Sequence, residues 1–180
     1  MVYLFLADGF EECEALAPLD ILRRSGIDIK TVGIGDGYIT GSHNITVKAD
    51  IRESDLVLNE DLECIILPGG MPGTNNLENS QAVKTAITFA NENNVLICAI
   101  CAAPKILGRM GLLKNKAAVC FPGFEEDLIG AEIPHKFVVK DGNIITAKGA
   151  GVALEFGFKI LESLKNKENA ENLKKQMQCP

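Results

Sequence analysis

The sequence predicts an α/β fold in which a doubly wound, mostly parallel sheet carries helices on both faces. Short apolar runs rich in β-branched residues recur without polar alternation, which is typical of parallel strands covered on both sides. Segments with helical spacing lie between these runs, as α/β folds require. No linker, repeat or low-complexity stretch divides the 180 residues, so we expect a single domain over 1–180.

The predicted elements follow the chain in order. Buried strands are expected at 2–7, 27–34, 62–69 and 94–100. Apolar residues from Cys13 to Leu22 repeat at helical spacing, and Gly26 is suited to end that helix. Ser80 is a suitable N-cap for a second amphipathic helix. The stretch 151–164 has a third helical pattern.

Turn residues predict two short antiparallel segments in addition to the parallel strands. Asp36-Gly37 opens one that continues to about residue 49, and Asp141-Gly142 separates two β-branched runs, which is a strong hairpin signal. The tail 165–180 is polar and weakly helical. It is expected either to form a loosely docked final helix or to fray.

Composition excludes several classes of function. A net charge of -6 without a Lys/Arg cluster argues against nucleic-acid binding. No apolar run is long enough to span a membrane, and the first one has no basic segment before it, so a cytoplasmic protein is expected. In that setting the six cysteines are expected to be reduced thiols.

The stretch ICAICAAPK contains the most informative cysteines, Cys98 and Cys101. A redox dithiol needs both sulfurs on one helical turn, but Cys98 lies inside the strand run. Zinc needs further ligands, and the two histidines, His43 and His135, lack metal spacing; no metal is expected. Cys98 is therefore interpreted as core. Cys101 falls at a sharp strand-to-helix switch resembling a nucleophile elbow, where the helix N-terminus is expected to favour the thiolate.

Possible partners for Cys101 follow two other strands. The loop after the first strand carries Glu11, Glu12 and Glu14, which capping or solvation explains by default, unless one of them is directed inward. Gly69-Gly70 offers bare backbone N–H groups at a strand's carboxyl end, where open α/β sheets bind ligands, although a tight turn alone also explains two glycines. Neither glycine-rich loop has a phosphate-loop pattern, so no cofactor is expected.

Four motifs, colinear over about residues 1–164, resemble the ThiJ/PfpI superfamily in its DJ-one-like branch, that of the parkinsonism-associated protein deglycase and its bacterial relatives. They are ADGFEECEALAPLDILRRSGI, IILPGGMPGTNNL, AICAAPKIL and DGNIITAKGAGVALEFGFKIL. Their combination is far more specific than any one of them. The resemblance implies a flavodoxin-like sandwich, in agreement with the pattern of strands and helices.

The resemblance also implies roles for single residues. It places the nucleophile on Cys101 and a protonated, hydrogen-bonded carboxyl partner on Glu14, which is physically reasonable because a neutral carboxyl can donate to a thiolate. Gly70 and Ala102 match the positions whose N–H groups line an oxyanion pocket, and Gly69 lies beside them.

A homodimer is expected from the same resemblance, with Arg24 and His43 near the contact. Two departures from the family matter. Phe121 stands where the branch's human member has histidine, and His135 lies beyond it in a stretch that does not align. Ala102 follows the nucleophile where peptidase members carry histidine, which makes proteolysis the less favoured activity.

The leading hypothesis is a cofactor-independent cysteine enzyme that converts α-oxoaldehydes such as methylglyoxal into hydroxy acids through Cys101 and Glu14, with protein deglycation as an extension. The alternative is an oxidative-stress sensor or chaperone controlled by oxidation of Cys101. A silent domain that keeps Cys101 only for packing is the simplest interpretation, but it leaves the convergence of two reactive groups unexplained.

Overall fold

The structure is a computed structural model that describes residues 1–179. Its strands are β1 (Val2–Leu6), β2 (Ile29–Gly33), β3 (Tyr38–Thr40), β4 (Thr46–Lys48), β5 (Ile51–Arg52), β6 (Cys64–Leu67), β7 (Leu96–Ile100), β8 (Val138–Asp141) and β9 (Ile144–Ala147). Its α-helices are α1 (Glu12–Arg24), α2 (Gly73–Asn79), α3 (Gln81–Glu92), α4 (Pro104–Arg109), α5 (Ala153–Leu164) and α6 (Lys167–Gln176). None of the helices in these described residues is both long and apolar enough to cross a membrane.

Seven strands form one sheet in the order β5-β2-β1-β6-β7-β9-β8. Every neighbouring pair is parallel except β8 and β9, which form the antiparallel hairpin at Asp141-Gly142. The strand order reverses between β1 and β6, and in open α/β sheets the crevice at such a point is where ligands bind. The predicted α/β sandwich with a mostly parallel sheet is confirmed.

Two hydrophobic cores cover the two faces of the sheet. On one face, side chains of β1 such as Leu4 pack with those of α1, α5 and α6. On the other face, Phe5 and its neighbours pack with α2, α3 and α4. Each fully buried Leu or Phe contributes roughly 1.5–3 kcal/mol, which explains why the strands are almost wholly apolar.

A close helix contact holds α1 against α5. A Cβ added to Gly157 in α5 would lie 2.7 Å from Ile21 Cδ1 and 3.0 Å from Pro18 Cα. Only glycine lets α5 approach α1 this closely, and Gly157 is buried. Since α1 begins directly after the loop that follows β1, this packing holds the acidic first turn of α1 at the sheet's carboxyl edge.

Some elements differ from the sequence-based expectation. The strands are shorter than the apolar runs, because the flanking residues belong to turns. The two-residue strand β5 is too short to be predicted from a hydrophobic pattern. The β3–β4 hairpin forms its own two-stranded sheet, as predicted for the segment that follows Asp36-Gly37. In the tail, Asn166 caps α6, and Ala170 and Leu173 are buried, so the described part of the tail is docked as a helix.

Candidate active site

Cys101 lies on a strained turn at the carboxyl end of β7. Its φ is +64°, a left-handed conformation that costs a non-glycine residue about 1–3 kcal/mol. Neighbouring strands hold it there, because its N–H donates to the Ala147 carbonyl at 2.9 Å and its carbonyl accepts from the Phe121 N–H at 2.8 Å. The turn lifts the side chain above the sheet, as a nucleophile elbow does.

Glu14 is directed inward from the first turn of α1. Its side chain is almost fully buried, with 1% of the residue exposed. The Glu11 carboxylate caps the helix by accepting from the Glu14 N–H at 2.7 Å, while Glu14 Oε2 accepts from the Gly69 N–H at 2.9 Å. Glu11 therefore has the ordinary capping role, and Glu14 is the acid that faces the interior.

The side chains of Glu14 and Cys101 converge at Gly69. A Cβ added to Gly69 would lie 2.5 Å from Cys101 Cβ and 2.6 Å from Glu14 Oε2. No side chain fits between them, so the glycine makes the approach of the two groups possible. The carboxyl edge of β1, β6 and β7 thus brings an acid and a thiol together at the point where the strand order reverses.

Burial and mutual repulsion control the protonation of this pair. Burial raises the pKa of the Glu14 carboxyl to about 7, although hydrogen bonds with Cys101 and the Gly69 N–H oppose the shift. Burial, followed by the negative charge on Glu14, raises the pKa of the Cys101 thiol to about 12, against the N–H groups of Gly70 and Ala102. Above a pH of about 7 the pair therefore holds a single proton.

The expected lowering of the Cys101 pKa by a helix N-terminus is not what the structure gives. The helix α4 is only six residues long and begins at Pro104, and burial of the thiol together with the carboxylate opposite the sulfur outweighs it. The thiolate is accessible when the shared proton sits on Glu14, because the repulsion then vanishes and the carboxyl donates to the sulfur. Sequence spacing could not show this dependence, since the acid comes from another strand end.

Backbone N–H groups surround the sulfur. Those of Gly70 and Ala102 stabilise negative charge on Cys101, whereas the Gly69 N–H is engaged by Glu14. Gly70 has a φ of +89°, and a Cβ there would lie 2.4 Å from the Glu11 nitrogen. This position therefore requires glycine. The donors left for an oxyanion are Gly70 and Ala102.

The other candidate residues lie away from the pair. His43 contacts Glu12, with Nδ1 2.8 Å from Oε2, and this partner raises the pKa of the imidazole. Arg24 pairs with Asp20 at the far end of α1. His135 is exposed, and Cys98 is fully buried with its Sγ 3.6 Å from that of Cys64. In residues 1–179, no hydrogen bond joins either histidine to Cys101 or Glu14.

One group of possible metal ligands occurs among the described residues, formed by Glu11, Glu12 and His43. Their ligand atoms lie within 4.8 Å of one another. The sequence spacing missed it because His43 is 31 positions from Glu12. All three members already have protein partners, since Glu11 caps α1 and Glu12 binds His43. The arrangement is explained by these hydrogen bonds.

The sequence analysis also missed groups that follow β9. The Ala150 N–H hydrogen-bonds to Glu14, and a Cβ on Gly149 would lie 3.8 Å from Glu14 Oε1 and 3.3 Å from the Phe121 ring. The sequence marks Phe121 only as a departure from the family's histidine, whereas in the structure its ring borders the site. The only sequence signal that these residues belong to the site was their position directly after a predicted strand.

Comparison with known proteins places this chain in a described family. A family model described as the DJ-1/PfpI family matches residues 1–163. The chain is 34% identical over 175 residues to "Protein dj-1beta" of Drosophila melanogaster, covering 96% of this chain and 93% of the fly protein. It is 32% identical over 151 residues to a Pyrococcus horikoshii protein named as a deglycase, covering 82% of this chain and 90% of that protein.

Solved structures show the same similarity in three dimensions. The structure described as oxidized Toxoplasma gondii DJ-1 has a TM-score of 0.93 and 34% sequence identity to this chain. The match covers 98% of this chain and 97% of the Toxoplasma chain. The similarity therefore extends over nearly the whole chain.

Proposed function

The chain belongs to the DJ-1/PfpI family, and from this premise we propose that it is a cofactor-independent cysteine enzyme that converts α-oxoaldehydes such as methylglyoxal into 2-hydroxy acids. The observation that carries the proposal is the convergence of the buried Glu14 carboxyl and the Cys101 sulfur at Gly69. An acid with a pKa of about 7 is suited to both donating and accepting a proton at physiological pH.

The first step is attack of the Cys101 thiolate on the aldehyde carbon while Glu14 holds the shared proton. A C–S bond forms, and the carbonyl electron pair moves to the oxygen. The N–H groups of Gly70 and Ala102 stabilise this oxyanion, an effect worth about 2.7–4 kcal/mol per donor in well-studied enzymes. Glu14 then donates its proton to the oxygen, which gives a hemithioacetal and a carboxylate.

The second step moves hydrogen between adjacent carbons. The Glu14 carboxylate removes the proton from the former aldehyde carbon, and the electron pair spreads to the neighbouring ketone as an enediolate. Glu14 returns the proton to the second carbon, while the hydroxyl proton of the first passes to the neighbouring oxygen. The first carbon becomes a thioester and the second a carbinol, so one carbon is oxidised as the other is reduced, and no external oxidant is needed.

The third step is hydrolysis. Water adds to the thioester carbon and gives its proton to Glu14, the C–S bond breaks, and Cys101 leaves as the thiolate. The hydroxy acid is released, and the pair again holds one proton. Water is the only co-reactant, so the chemistry requires no metal or cofactor.

The test is formation of lactate from methylglyoxal with glutathione omitted. We expect turnover by the unmodified protein and loss of turnover in Cys101→Ala. Cys13→Ala is the matched control, because Cys13 is an exposed thiol that can trap aldehyde but has no acid directed at it from the core. Lactate formation that survives in Cys101→Ala would contradict the mechanism.

Protein deglycation is included in the proposal as a second outcome of the same chemistry, supported by the name of the Pyrococcus relative. Release of methylglyoxal from a thiol adduct should then depend on Cys101. The rate at which the adduct releases methylglyoxal must exceed the rate at which it dissociates when free methylglyoxal is merely consumed. If it does not, deglycation is only a consequence of aldehyde consumption.

A second candidate function is an oxidative-stress sensor. It is favoured by the partial exposure of Cys101 and by the Glu14 carboxyl and two N–H groups that could bind a sulfinate. Intact mass after mild peroxide should show the gain of two oxygens at one cysteine, and Cys101→Ser should lack it. Oxidation spread evenly over several cysteines would exclude this function.

We further propose that the chain forms a homodimer. An apolar groove of about 520 Å³ lies beside α1, lined among others by Cys13, Leu16, Ile45 and Leu154. Ile45 is 52% exposed and Leu154 47%, so two large apolar side chains in one patch face solvent in the single chain. A second copy covering this patch would bury them.

A further inference from the structure

A second apolar groove lies beside the Glu14–Cys101 pair, with Gly149 between the groove and the Glu14 carboxyl, and we call it the aromatic groove. Its volume is about 470 Å³, within the range of about 300–1,000 Å³ that small-molecule sites have. Its lining is almost entirely apolar or backbone. It is formed by Phe121, Pro122, Phe137, Lys148, Gly149, Ala150, Gly151 and Val152.

Backbone hydrogen bonds fix this groove to the elbow. The Phe121 N–H donates to the Cys101 carbonyl at 2.8 Å, and the Lys148 N–H donates to the Phe137 carbonyl at 2.9 Å. Gly149 connects the two, since a Cβ there would touch the Phe121 ring at 3.3 Å and lie 3.8 Å from Glu14 Oε1. The groove therefore borders the Glu14 side of the pair, within reach of the substituent of a substrate bound to the Cys101 sulfur.

The groove presents more apolar surface than methylglyoxal can cover. Phe121 is 48% exposed and Phe137 63%, and both rings border the same space. One methyl group leaves most of that surface in water, whereas an aryl substituent buries it against two aromatic faces. The Phe121 ring cannot exchange protons as an imidazole would. It supplies apolar contact with the substrate instead.

Charge indicates what the far end of the substituent carries. The Lys148 ammonium lies 5.4 Å from the centroid of the Phe137 ring and forms no ion pair within residues 1–179. No acidic side chain lines the groove, and the nearby Glu125 carboxylate accepts from the Gly123 N–H. In a chain of net charge -6, Lys148 is thus a local site for an anion.

We propose that the aromatic groove holds the substituent of the substrate, so that the enzyme prefers α-oxoaldehydes with an aryl substituent ending in a carboxylate over methylglyoxal. This inference rests on the proposed function and names the substrate class of that same site. The reaction is unchanged: the aldehyde carbon is oxidised, the ketone carbon is reduced, and water is consumed. Phe121 and Phe137 bind the ring, and Lys148 binds the carboxylate.

The experiment compares kcat/KM for methylglyoxal, phenylglyoxal and 4-carboxyphenylglyoxal, with the hydroxy acids measured by chromatography. We expect the aryl substrates to exceed methylglyoxal by about tenfold or more, as a filled apolar pocket supplies. The carboxylate should add about threefold to fivefold at low salt and lose this advantage at high salt. In Phe121→Ala the aryl preference should fall to about twofold or less.

Lys148→Gln should remove only the advantage of the carboxylate over phenylglyoxal. Lys136→Gln is the matched control, because Lys136 is an exposed lysine of the same region that does not line the groove. Equal kcat/KM for all three aldehydes, or equal loss of the carboxylate advantage in both variants, would overturn the inference while the proposed function stands.

A binding measurement separates the two failures. Cys101→Ser cannot turn over substrate, and NMR titration with 4-carboxymandelate should show binding that weakens about threefold to fivefold in the Lys148→Gln background. If 4-carboxymandelate binds but no aldehyde is turned over, the proposed function is wrong and the inference about the groove stands. If neither binding nor turnover is seen, the inference about the groove is wrong as well. If Phe121→Ala alters the sedimentation coefficient and not the aryl preference, a second copy covers the groove and the inference is wrong.

Discussion

Glu14 Oε2 accepts a hydrogen bond from the Gly69 N–H at 2.9 Å, although the two residues lie 55 positions apart in the chain. This contact closes the crevice between β1 and β6 and turns an acid of α1 toward the end of β7. It also explains why Glu14 differs from Glu11 and Glu12, whose carboxylates have partners nearer the surface.

Gly69→Ala is predicted to disrupt the pair directly. The added Cβ would fall within 2.6 Å of both Cys101 Cβ and Glu14 Oε2, so the two groups must separate. We expect the free energy of unfolding to fall by about 1–3 kcal/mol and kcat/KM by about 100-fold, since misplacing a reactive group by an ångström has effects of that size. Thermal unfolding and lactate formation measure the two.

The control for that variant is Gly26→Ala. Gly26 has a φ of +72°, and a Cβ there meets nothing within 4 Å, so the change strains the backbone far from the site. It should lower stability and leave kcat/KM unchanged. If Gly69→Ala behaves in the same way, the convergence at Gly69 is not what activity depends on.

Glu14→Gln is predicted to lower kcat/KM about 10²–10⁴-fold, because the amide cannot move a proton. In the unmodified protein we expect activity to rise as pH passes about 7, where the pair loses its first proton, and then to level off. The thiol pKa of Cys101 should fall in the variant, because the charge that raised it is removed. Thiolate absorbance at 240 nm reports that pKa, and an unchanged value would contradict the coupling.

Glu14 also predicts how stability depends on pH. Its pKa is raised from 4.5 to about 7 in the folded protein, so between these values the folded state binds more protons than the unfolded state. The free energy of unfolding should therefore decrease as pH rises through this window, by about 3 kcal/mol in total. Urea unfolding over that range measures it.

In Glu14→Gln this contribution disappears. The variant should match the unmodified protein below pH 4.5 and be more stable above pH 7, since a neutral amide replaces a buried charge. Identical pH profiles for the two proteins would show that the Glu14 carboxyl is not buried in solution as it is here.

Lys105 is predicted to position the two oxyanion donors. Its side chain is buried, with the ammonium 2.6 Å from Asn75 Oδ1 and 3.4 Å from Glu78 Oε2. It thereby joins α4, which follows Ala102, to α2, which follows Gly70. Lys105→Met should lower the free energy of unfolding by about 1–3 kcal/mol, because two half-buried acceptors lose their donor. It should also reduce kcat more than it changes KM.

Arg109→Met is the contrasting variant for Lys105. Arg109 also pairs with Glu78, at 2.8 Å, but its side chain is 47% exposed. We expect a change of less than about 1 kcal/mol, as is usual for exposed ion pairs, and an unaltered kcat. Equal effects on kcat in the two variants would indicate that Glu78, and not the buried lysine, holds the two helices.

Leu154→Glu is predicted to give a monomer. The side chain is 47% exposed and lines the apolar groove beside α1, so a carboxylate there opposes burial by a second copy. Sedimentation velocity should change from dimer to monomer while the far-UV circular dichroism is kept. A monomeric unmodified protein would contradict the proposed dimer.

Local signals in the chain determined most of the architecture. Uninterrupted apolar runs identify strands that are covered on both faces, and caps such as Ser80, with its hydroxyl accepting from the Val83 N–H, mark where a helix begins. The Asp141-Gly142 turn determines a hairpin because few backbones satisfy it. The position of Cys101 at a strand-to-helix switch was readable for the same reason, and residues close in sequence carried all of this information.

Only the tertiary structure decided how the site works. The pKa of Cys101 is raised, not lowered, because the thiol is buried and an acid from α1 faces the sulfur across Gly69. The Lys148 and Phe137 side chains border the aromatic groove, which lies beside the end of β7 because β9 pairs with β7 in the sheet. Distances between strand ends depend on strand order, and strand order results from packing two cores at once. A sequence pattern records which side chains are buried, but not which of them meet.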